Sequence, residues 1–396
     1  MINMPTRFPD DASAMARALE LAQRGLGSVE PNPPVGAVIV DAAGELLGEG
    51  YHERFGGPHA ESHALEQAGD RAEGGTIFVT LEPCCHHGKT PPCTEAILAA
   101  GLKRVVVGTT DPAPHASGRG ITELREAGLE VVVGVLEVAA RNLIAPFASL
   151  MTKHRPYLHA KWAMTLDGKI ASREGHSQWI SGAASRRIVH RLRGRMDAIV
   201  VGAATARIDD PLLTARPPGP RTATRIIVDP QATLPLTSRL IQTLEQAPVM
   251  IVAGESAEMS KVSRLEQAGA EVLRLPETAG GHVGLEAFLK ELGRRQFTNI
   301  LVEGGGQLLG SFFDANLIDE VHVFIAPKLV GGKASPSPIQ GVGLPKIPDR
   351  SQFASLEIQT IEDDVYIRGR VSTLDLENQQ ALAETGKPLG TDQTPL

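Results

Sequence analysis

One histidine, two cysteines and a glutamate occur at a spacing that requires three separate segments of the chain to meet at one point. The segments are His59-Ala60-Glu61, Pro83-Cys84 and Cys93. Two thiolates and a neutral imidazole neutralise Zn²⁺ and fill three of its four tetrahedral positions, so the fourth remains for a water molecule whose pKa the metal lowers. The fold must therefore bring His59, Cys84 and Cys93 together, with Glu61 close enough to exchange a proton with that water.

The residues around these ligands predict where each one lies. Residues 59–65 have a helical pattern, whereas Cys84 follows the apolar strand Thr76–Leu81. Proline is favoured at the first position of a helix, so Pro92 predicts that Cys93 lies in a first turn. A helix N-terminus lowers the pKa of a thiol, and the thiolate is the form that binds a metal.

Two other interpretations of the same residues remain open. A structural zinc site needs a fourth protein ligand. The candidates are Cys85, His86, His87 and His63. Alternatively, the three cysteines are ordinary buried core residues. A closed site would leave Glu61 without a role, and adjacent Cys84 and Cys85 can bind one ion together only with strain, so a water-activating site is the preferred interpretation.

Composition excludes several classes of protein. The chain has 396 residues, a net charge of −7 at pH 7 and 4% aromatic residues. This length favours two or three domains, and the acidic, aromatic-poor composition argues against a nucleic-acid-binding protein. The three cysteines predict no disulfide framework, and we find neither a signal-peptide pattern nor an apolar run of membrane-spanning length. We therefore expect a cytoplasmic enzyme that acts on a small molecule, without a nucleic-acid or membrane partner.

The order of predicted elements indicates two α/β domains. The predicted divisions are a first domain at 1–150, a linker at 151–156, a second domain at 157–371 and a disordered tail at 372–396. The last helix of the first domain covers Leu136–Leu150, and Pro156 ends the linker. The predicted strands are Val35–Val40, Leu46–Tyr51, Thr76–Leu81, Arg104–Gly108 and Glu130–Val135, then Tyr157–Met164, Ala198–Gly202, Thr224–Val228, Val249–Val252 and Ile300–Val302.

An H-x-E sequence with a later P-C pair is typical of zinc-dependent nucleobase deaminases. Their usual P-C-x-x-C is absent, because a loop at 85–92 separates Cys84 from Cys93. The segment 80–93 closely resembles the deaminase half of the bifunctional riboflavin-biosynthesis deaminase/reductase family. Further stretches are similar to that family in the same order: Pro31–Val38, Asp111–Gly120, Lys161–Lys169, Ser177–Ile180, Asp209–Thr214 and Val302–Gly306.

The resemblance implies a three-layer, cytidine-deaminase-like N-terminal domain and a C-terminal domain of dihydrofolate-reductase-like fold. It also implies two reactions. The first is zinc-dependent hydrolytic deamination of 2,5-diamino-6-(5-phosphoribosylamino)pyrimidin-4(3H)-one. The second is NADPH-dependent reduction of the ribosyl side chain, giving 5-amino-6-(5-phosphoribitylamino)uracil. The implied cofactors are one Zn²⁺ per chain and NADPH, the substrate is a phosphorylated pyrimidine, and the family often forms homo-oligomers.

The family's functional residues can be carried over position by position. The implied metal ligands are His59, Cys84 and Cys93, with Glu61 as the catalytic residue. The implied substrate contacts of the deaminase are Asn32, His52, His86, Lys89, Thr90 and Asp111. The implied NADPH contacts are Ala163, Trp179, Thr205, Asp209, Gly305, Gly306, Gln307, Leu308, Leu309, Gly310 and Ser311. The implied substrate contacts of the reductase are Lys161, Ser177, Arg193, Leu213, Arg216 and Glu303.

The residues alone leave several of these assignments open. The glycine turn after the strand Ile300–Val302 suits a pyrophosphate, but a plain tight turn has the same spacing. Trp179 is equally consistent with a core residue, and His52 with a satisfied histidine on a strand face. The sequence departs from the family pattern at two positions: Ala113 replaces the usual asparagine, and Cys85 replaces the usual serine.

Two other functional classes also remain. A monofunctional deaminase of a nucleoside or a tRNA base predicts no NADPH binding. A non-catalytic zinc module with a ligand-sensing second domain predicts that Glu61→Gln leaves function unchanged. Each alternative leaves an intact set of motifs without a role.

Overall fold

The first half of the chain forms a mixed five-stranded sheet. The computed structural model describes residues 6–86, 91–113, 116–278 and 280–372. The strands of the first half are β1 (Gly36–Val40), β2 (Leu46–Tyr51), β3 (Thr76–Leu81), β4 (Arg104–Thr109) and β5 (Glu130–Val133). Their order is β2-β1-β3-β4-β5, with β1 antiparallel to both neighbours and β3, β4 and β5 parallel.

Helices cover both faces of this sheet and produce the three layers that the family resemblance implies. They are α1 (Asp11–Gln23), α2 (Ala60–Ala68), a 3-10 helix (Gly69–Ala72), α3 (Cys93–Ala99), α4 (Arg119–Glu126) and α5 (Glu137–Leu143). One buried core contains Met15 of α1 and Ala140 of α5, and the other contains Ile97 of α3. Because side chains alternate along a strand, Phe78 belongs to the first core and Ile77 to the second.

The second half forms a nine-stranded sheet. Its strands are β6 (Tyr157–Thr165), β7 (Ala198–Gly202), β8 (Thr224–Val228), β9 (Val249–Gly254), β10 (Glu271–Leu275), β11 (Asn299–Val302), β12 (Glu320–Ala326), β13 (Phe353–Ile361) and β14 (Asp364–Val371). Their order is β10-β9-β8-β7-β11-β6-β12-β14-β13. Neighbouring strands are parallel except where β14 pairs with β12 and β13.

Helices cover both faces of the second sheet as well. They are α6 (Ala145–Lys153), α7 (Ala183–Arg193), α8 (Ala203–Asp209), α9 (Arg239–Gln242), α10 (Met259–Gln267), α11 (Leu285–Arg294) and α12 (Gly306–Asp314). The α11 and α12 helices bury Phe288 and Phe312 against one face, and α10 buries Leu265 against the other. Within the described residues, we find no helix with both the length and the apolar character needed to cross a bilayer.

Every strand predicted from the sequence occurs, with ends within two residues of those expected. The strands β10, β12, β13 and β14 were not predicted. The single helix expected at Leu136–Leu150 is wrong: α5 and α6 meet at Ile144, and α6 extends to Lys153 within the predicted linker. Pro146 explains the break, because it has no N–H to continue α5 but suits the first turn of α6. The tail predicted at 372–396 lies outside the described residues from residue 373 onwards.

Polar contacts connect the two halves. Arg221 of the second half lies 3.3 Å from a carboxylate oxygen of Glu30 and 2.6 Å from one of Asp197. Arg370 on β14 donates to the main-chain carbonyl of Asn142 at 2.9 Å. Two residues far apart in the sequence of the second half, Arg221 and Arg370, therefore contact the first half.

Candidate active sites

Three elements bring the predicted metal ligands together. His59 is the N-cap residue of α2, Cys84 follows β3, and Cys93 is the first residue of α3. The His59 Nδ1 atom lies 3.5 Å from Cys84 Sγ and 3.3 Å from Cys93 Sγ. Pro92 is the N-cap residue rather than the first helical residue, which places Cys93 in the first turn as expected.

These three side chains fit a zinc ion. With Zn–N and Zn–S bonds of about 2.0 and 2.3 Å, a tetrahedral centre separates its nitrogen and sulfur ligands by about 3.5 Å, close to the observed separations. Across the described ranges, the ligand atoms of Cys85, His86 and His63 do not join this cluster. His87, the other proposed fourth ligand, lies outside the described residues. The described donor set therefore has three members, which is typical of a catalytic site.

The two ligand thiols differ in acidity. A hydrogen bond from Cys93 lowers the pKa of Cys84 to about 4, and a bond with His59 adds to this shift against the opposing effect of burial. The same contact, together with burial, raises the pKa of Cys93. The raised pKa of Cys93 favours its thiol form without a metal, so metal binding at this residue releases a proton.

Glu61 lies in the first turn of α2, and only 3% of its surface is exposed. Without a metal in the site, burial raises the pKa of Glu61, and the neighbouring His59 only partly opposes this shift. A carboxyl group with a raised pKa is suited to taking up and returning a proton near neutral pH.

A cavity of about 400 Å³ opens onto His59, Cys84 and Glu61. The predicted substrate contacts Asn32, His52, His86 and Asp111 line it. Ala113, one of the two departures from the family pattern, also lies in its wall. Lys89 and Thr90 lie outside the described residues.

Two hydrogen bonds determine what Asn32 presents to this cavity. The Nδ1 atom of His52 lies 2.9 Å from the carbonyl oxygen of Pro58, which can only accept, so this nitrogen carries the hydrogen. Burial lowers the pKa of His52, which favours the neutral ring. The Nε2 atom therefore accepts from Asn32 Nδ2 at 3.3 Å, and Asn32 Oδ1 remains as an acceptor for a ligand. His52 is thus both hydrogen-bonded and part of the cavity wall.

Glu82, which sequence reasoning did not select, organises a further segment that lines this cavity. One carboxylate oxygen accepts from the main-chain N–H groups of Asp111 and Gly118 at 3.1 and 2.9 Å. The other accepts from Gly120 and Ile121 at 2.9 and 3.3 Å. Glu82 thus caps the N-terminus of α4 and connects the chain after β3 to the chain after β4.

A second, larger cavity of about 1560 Å³ lies in the other half of the chain. The predicted residues that line it are Lys161, Ala163, Ser177, Trp179, Arg193, Thr205, Asp209, Leu213, Arg216, Glu303, Gly305, Gly306, Gln307, Leu308, Leu309 and Ser311. Gly310 does not line it. A Cβ atom at Gly310 would lie 2.0 Å from the carbonyl oxygen of Gln340, so this glycine allows α12 to pack against the segment that contains Gln340.

A buried ion cluster forms one side of the second cavity. The Glu303 carboxylate binds the Arg193 guanidinium through two contacts of 2.6 and 2.9 Å, and Lys161 Nζ lies 3.5 Å away. Burial would raise the pKa of Glu303, but Arg193 and then Lys161 outweigh it and hold the pKa at about 2. Burial lowers the pKa of Lys161, and Glu303 opposes that shift. Arg193 and Glu303 balance each other, so a protonated Lys161 gives the cluster one excess positive charge beside the cavity.

Trp179 lies at the surface of the second cavity rather than in a core. Its side chain is 65% exposed, which excludes the core interpretation. The Arg186 guanidinium lies 4.6 Å from the centre of its ring. Exposed aromatic rings of this kind are available to stack on a planar ligand.

Comparisons with known proteins agree with both halves. The family model for the cytidine and deoxycytidylate deaminase zinc-binding region matches residues 9–109, and the model for the RibD C-terminal domain matches residues 156–367. The riboflavin biosynthesis protein RibD of Aquifex aeolicus is 42% identical over 358 residues, which cover 90% of this chain and 97% of that protein. The Escherichia coli RibD protein is 40% identical over 374 residues, which cover 90% of this chain and 98% of that protein. This chain belongs to the RibD family.

Solved structures agree with this assignment. The chain is similar to Acinetobacter baumannii RibD, with a TM-score of 0.78, 35% identity and coverage of 92% and 99% of the two chains. It is also similar to the deaminase/reductase of Thermotoga maritima, with a TM-score of 0.79, 37% identity and coverage of 91% and 99%. The implied fold class is confirmed. The chain is a bifunctional deaminase/reductase of riboflavin biosynthesis, with a zinc-binding deaminase region and an NADPH-dependent reductase region.

Residues that the sequence analysis did not select also line the deaminase cavity. They include Phe147 and Met151 on α6 and Gln296 after α11. Phe147 and Met151 are four positions apart on one helix, a spacing that indicates a shared face. Gln296 has no comparable local signal, because its position depends on contacts between distant parts of the chain.

Replacing Cys84 and its neighbour Cys85 in turn should show which of the two binds zinc. We expect Cys84→Ser to lower bound zinc well below one ion per chain and to abolish ammonia release, because a serine hydroxyl is a poor zinc ligand at neutral pH. Elemental analysis and an ammonia assay measure both effects. The matched control, Cys85→Ser, should keep its zinc, and loss of zinc from both variants would contradict the ligand assignment.

The carboxylate of Glu82 should be needed for deamination. In Glu82→Gln the amide NH₂ faces main-chain N–H groups, and each unpaired donor costs about 1–3 kcal/mol. We expect the deaminase kcat/KM to fall at least tenfold while bound zinc and the reductase kcat/KM stay unchanged. The exposed Glu66→Gln on α2 is the control, and a parental deaminase kcat/KM in Glu82→Gln would show that the cap is dispensable.

Glu303→Gln should leave Arg193 and Lys161 buried without a counter-ion, lowering the free energy of unfolding by about 3–5 kcal/mol at pH 7. The folded pKa of Glu303 is about 2, below the unfolded value, so its stabilisation is present above about pH 4 and is lost as pH falls towards 2. The difference between parent and variant should therefore shrink below pH 4 in denaturant titrations. Glu362→Gln, which breaks an exposed pair with Arg187, should cost less than about 1 kcal/mol.

Proposed function

We propose that this chain converts 2,5-diamino-6-(5-phosphoribosylamino)pyrimidin-4(3H)-one into 5-amino-6-(5-phosphoribitylamino)uracil in two steps at two sites. Deamination would reside in residues 1–150 and reduction in residues 157–371, with 151–156 between them. The observation that carries this proposal is the assembly of His59, Cys84 and Cys93 beside buried Glu61 at the base of one cavity, in a chain whose other cavity contains the reductase residues.

In the first step, His59, Cys84 and Cys93 would hold zinc, which when bound would supply a water of lowered pKa. Glu61 accepts a proton from that water and returns it to the departing amine. A C–O bond forms at the ring carbon, the C–N bond breaks and ammonia leaves. The position of Glu61, buried and in the same cavity wall as His59 and Cys84, supports this role, because the same group must take and give a proton within one cycle.

The cavity wall supports recognition of a pyrimidine. Asn32 Oδ1 is available to accept a hydrogen bond from a ring N–H or amino group, because its amide nitrogen is held by His52. We assign His86 and Asp111 to contacts with the rest of the substrate, since both line the same cavity. Lys89 and Thr90 remain proposed phosphate contacts on the basis of the family pattern.

In the second step, bound NADPH would supply a hydride to C1 of the ribosyl group in its open-chain imine form, and the imine nitrogen would take up a proton from water. The chain's part is to bind and orient. The α12 N-terminus follows the glycine turn and offers main-chain N–H groups to a phosphate. Trp179 and Thr205 are assigned to the cofactor. The Arg193–Glu303–Lys161 cluster is assigned to the phosphorylated substrate, and its excess positive charge supports that assignment.

We further propose that the protein acts in the cytoplasm on small molecules rather than nucleic acids, and that it forms homo-oligomers as its family often does. The net charge of −7 supports the absence of a nucleic-acid partner. Every predicted reductase residue except Gly310 lines the second cavity, which favours this function over a deaminase with an idle second half.

Glu61→Gln should separate the two reactions. An amide cannot exchange the proton, so we expect ammonia release to fall by about 10²–10⁴-fold. The zinc-loaded variant should still oxidise NADPH at the parental rate when it is given the deaminated intermediate. Both signals are followed in one anaerobic assay. Undiminished ammonia release by the variant would return the zinc to a structural role, and NADPH oxidation that never appears with either protein would contradict the reductase assignment.

A further inference from the structure

One residue in the wall of the deaminase cavity comes from the reductase half. Gln296 lies in the turn between α11 and β11, yet it lines the same cavity as His59 and Glu61. We propose that the reductase half completes the deaminase site, and that Gln296 binds the phosphoribosyl part of the deaminase substrate. This inference rests on the proposed function, and it adds a specificity residue that lies far from the deaminase motifs in the sequence.

The backbone around Gln296 is held in a defined turn. Gln296 has a φ of 63°, and its N–H donates to the carbonyl of Gly293 at 2.9 Å. The next N–H, of Phe297, donates to the carbonyl of Leu292 at 3.0 Å. A Cβ atom at Gly293 would lie 2.2 Å from the carbonyl oxygen of His154, so the turn packs closely against the connection between the two halves.

The side chain of Gln296 is available to a ligand. It is exposed, and within the part of the chain that the structure describes its carboxamide has no hydrogen-bond partner. Glu61, by contrast, is buried at the inner end of the same cavity. The amine that is hydrolysed must reach this inner end, so the phosphoribosyl group extends towards the exposed end, where Gln296 lies. A carboxamide both donates and accepts, which suits sugar hydroxyls and phosphate oxygens.

Contacts between the two halves help to fix the position of Gln296 relative to the cavity residues of the deaminase half. Arg221 of the reductase half binds Glu30, which also accepts from the N–H of Gly27 at 2.9 Å. Glu30 lies two positions before Asn32, the residue assigned to the pyrimidine. The same segment of the deaminase half is therefore tied to the reductase half and lines the cavity that Gln296 completes.

The test measures ammonia release without NADPH, so that only deamination proceeds. Gln296→Gly removes the carboxamide and suits the positive φ, so it adds no backbone strain. We expect the KM to rise about tenfold with kcat within about twofold, the effect of losing a hydrogen bond to the substrate. The reductase KM for the deaminated intermediate should not change. The matched control is Gln267→Ala, an exposed glutamine on α10 outside both cavity walls, which should have parental kinetics.

A second measurement locates the contact on the substrate. The free base 2,5,6-triaminopyrimidin-4-one lacks the phosphoribosyl group, so it should inhibit the parent and Gln296→Gly with equal Ki. A Ki that rises in the variant would overturn the assignment to the phosphoribosyl group. Ammonia release with an unchanged KM in Gln296→Gly would overturn the inference alone. Absence of ammonia release by the parent would contradict the proposed function and, with it, the inference.

Discussion

The parallel pairing of β3 with β4 is the constraint on which the deaminase site depends. Leu81 pairs with Thr109 at the ends of these strands, so the two chain segments that follow leave the sheet at the same edge. One segment carries Cys84 and the other carries Asp111. The Glu82 carboxylate then binds the main-chain amides of the second segment, which makes the metal loop and the cavity wall one structure. Ligand sites at the carboxyl ends of parallel strands are a general property of α/β sheets.

The two sites balance buried charge in different ways. In the deaminase half, two cysteine thiolates and a neutral histidine form a donor set whose negative charge would balance the positive charge of a divalent cation. In the reductase half, Glu303 is compensated by Arg193 and Lys161 within the protein itself. The first site is therefore complete only with a metal, whereas the second retains a positive charge for an anionic ligand.

Much of this arrangement could be predicted from the sequence, and the exceptions have physical reasons. Strands such as Thr76–Leu81 have continuous apolar runs, which carry a strong local signal. The edge strand β13 is largely exposed and has no such run, so it escaped prediction. The clustering of His59, Cys84 and Cys93 could be predicted because metal chemistry restricts residue type and spacing. Glu82 and Gln296 reach the deaminase cavity through contacts between distant parts of the chain, which no local sequence pattern encodes.

The polar contacts of Arg221 have a consequence for how the two halves stay associated. Separated halves would expose Glu30 and Arg221 to water, and reassociation would require both groups to be dehydrated again, which offsets most of the attraction between them. In the intact chain, the connection through α6 keeps the halves at a high effective concentration, so this ion pair need not supply a strong affinity. Covalent continuity thus helps to keep a reductase side chain at the deaminase cavity.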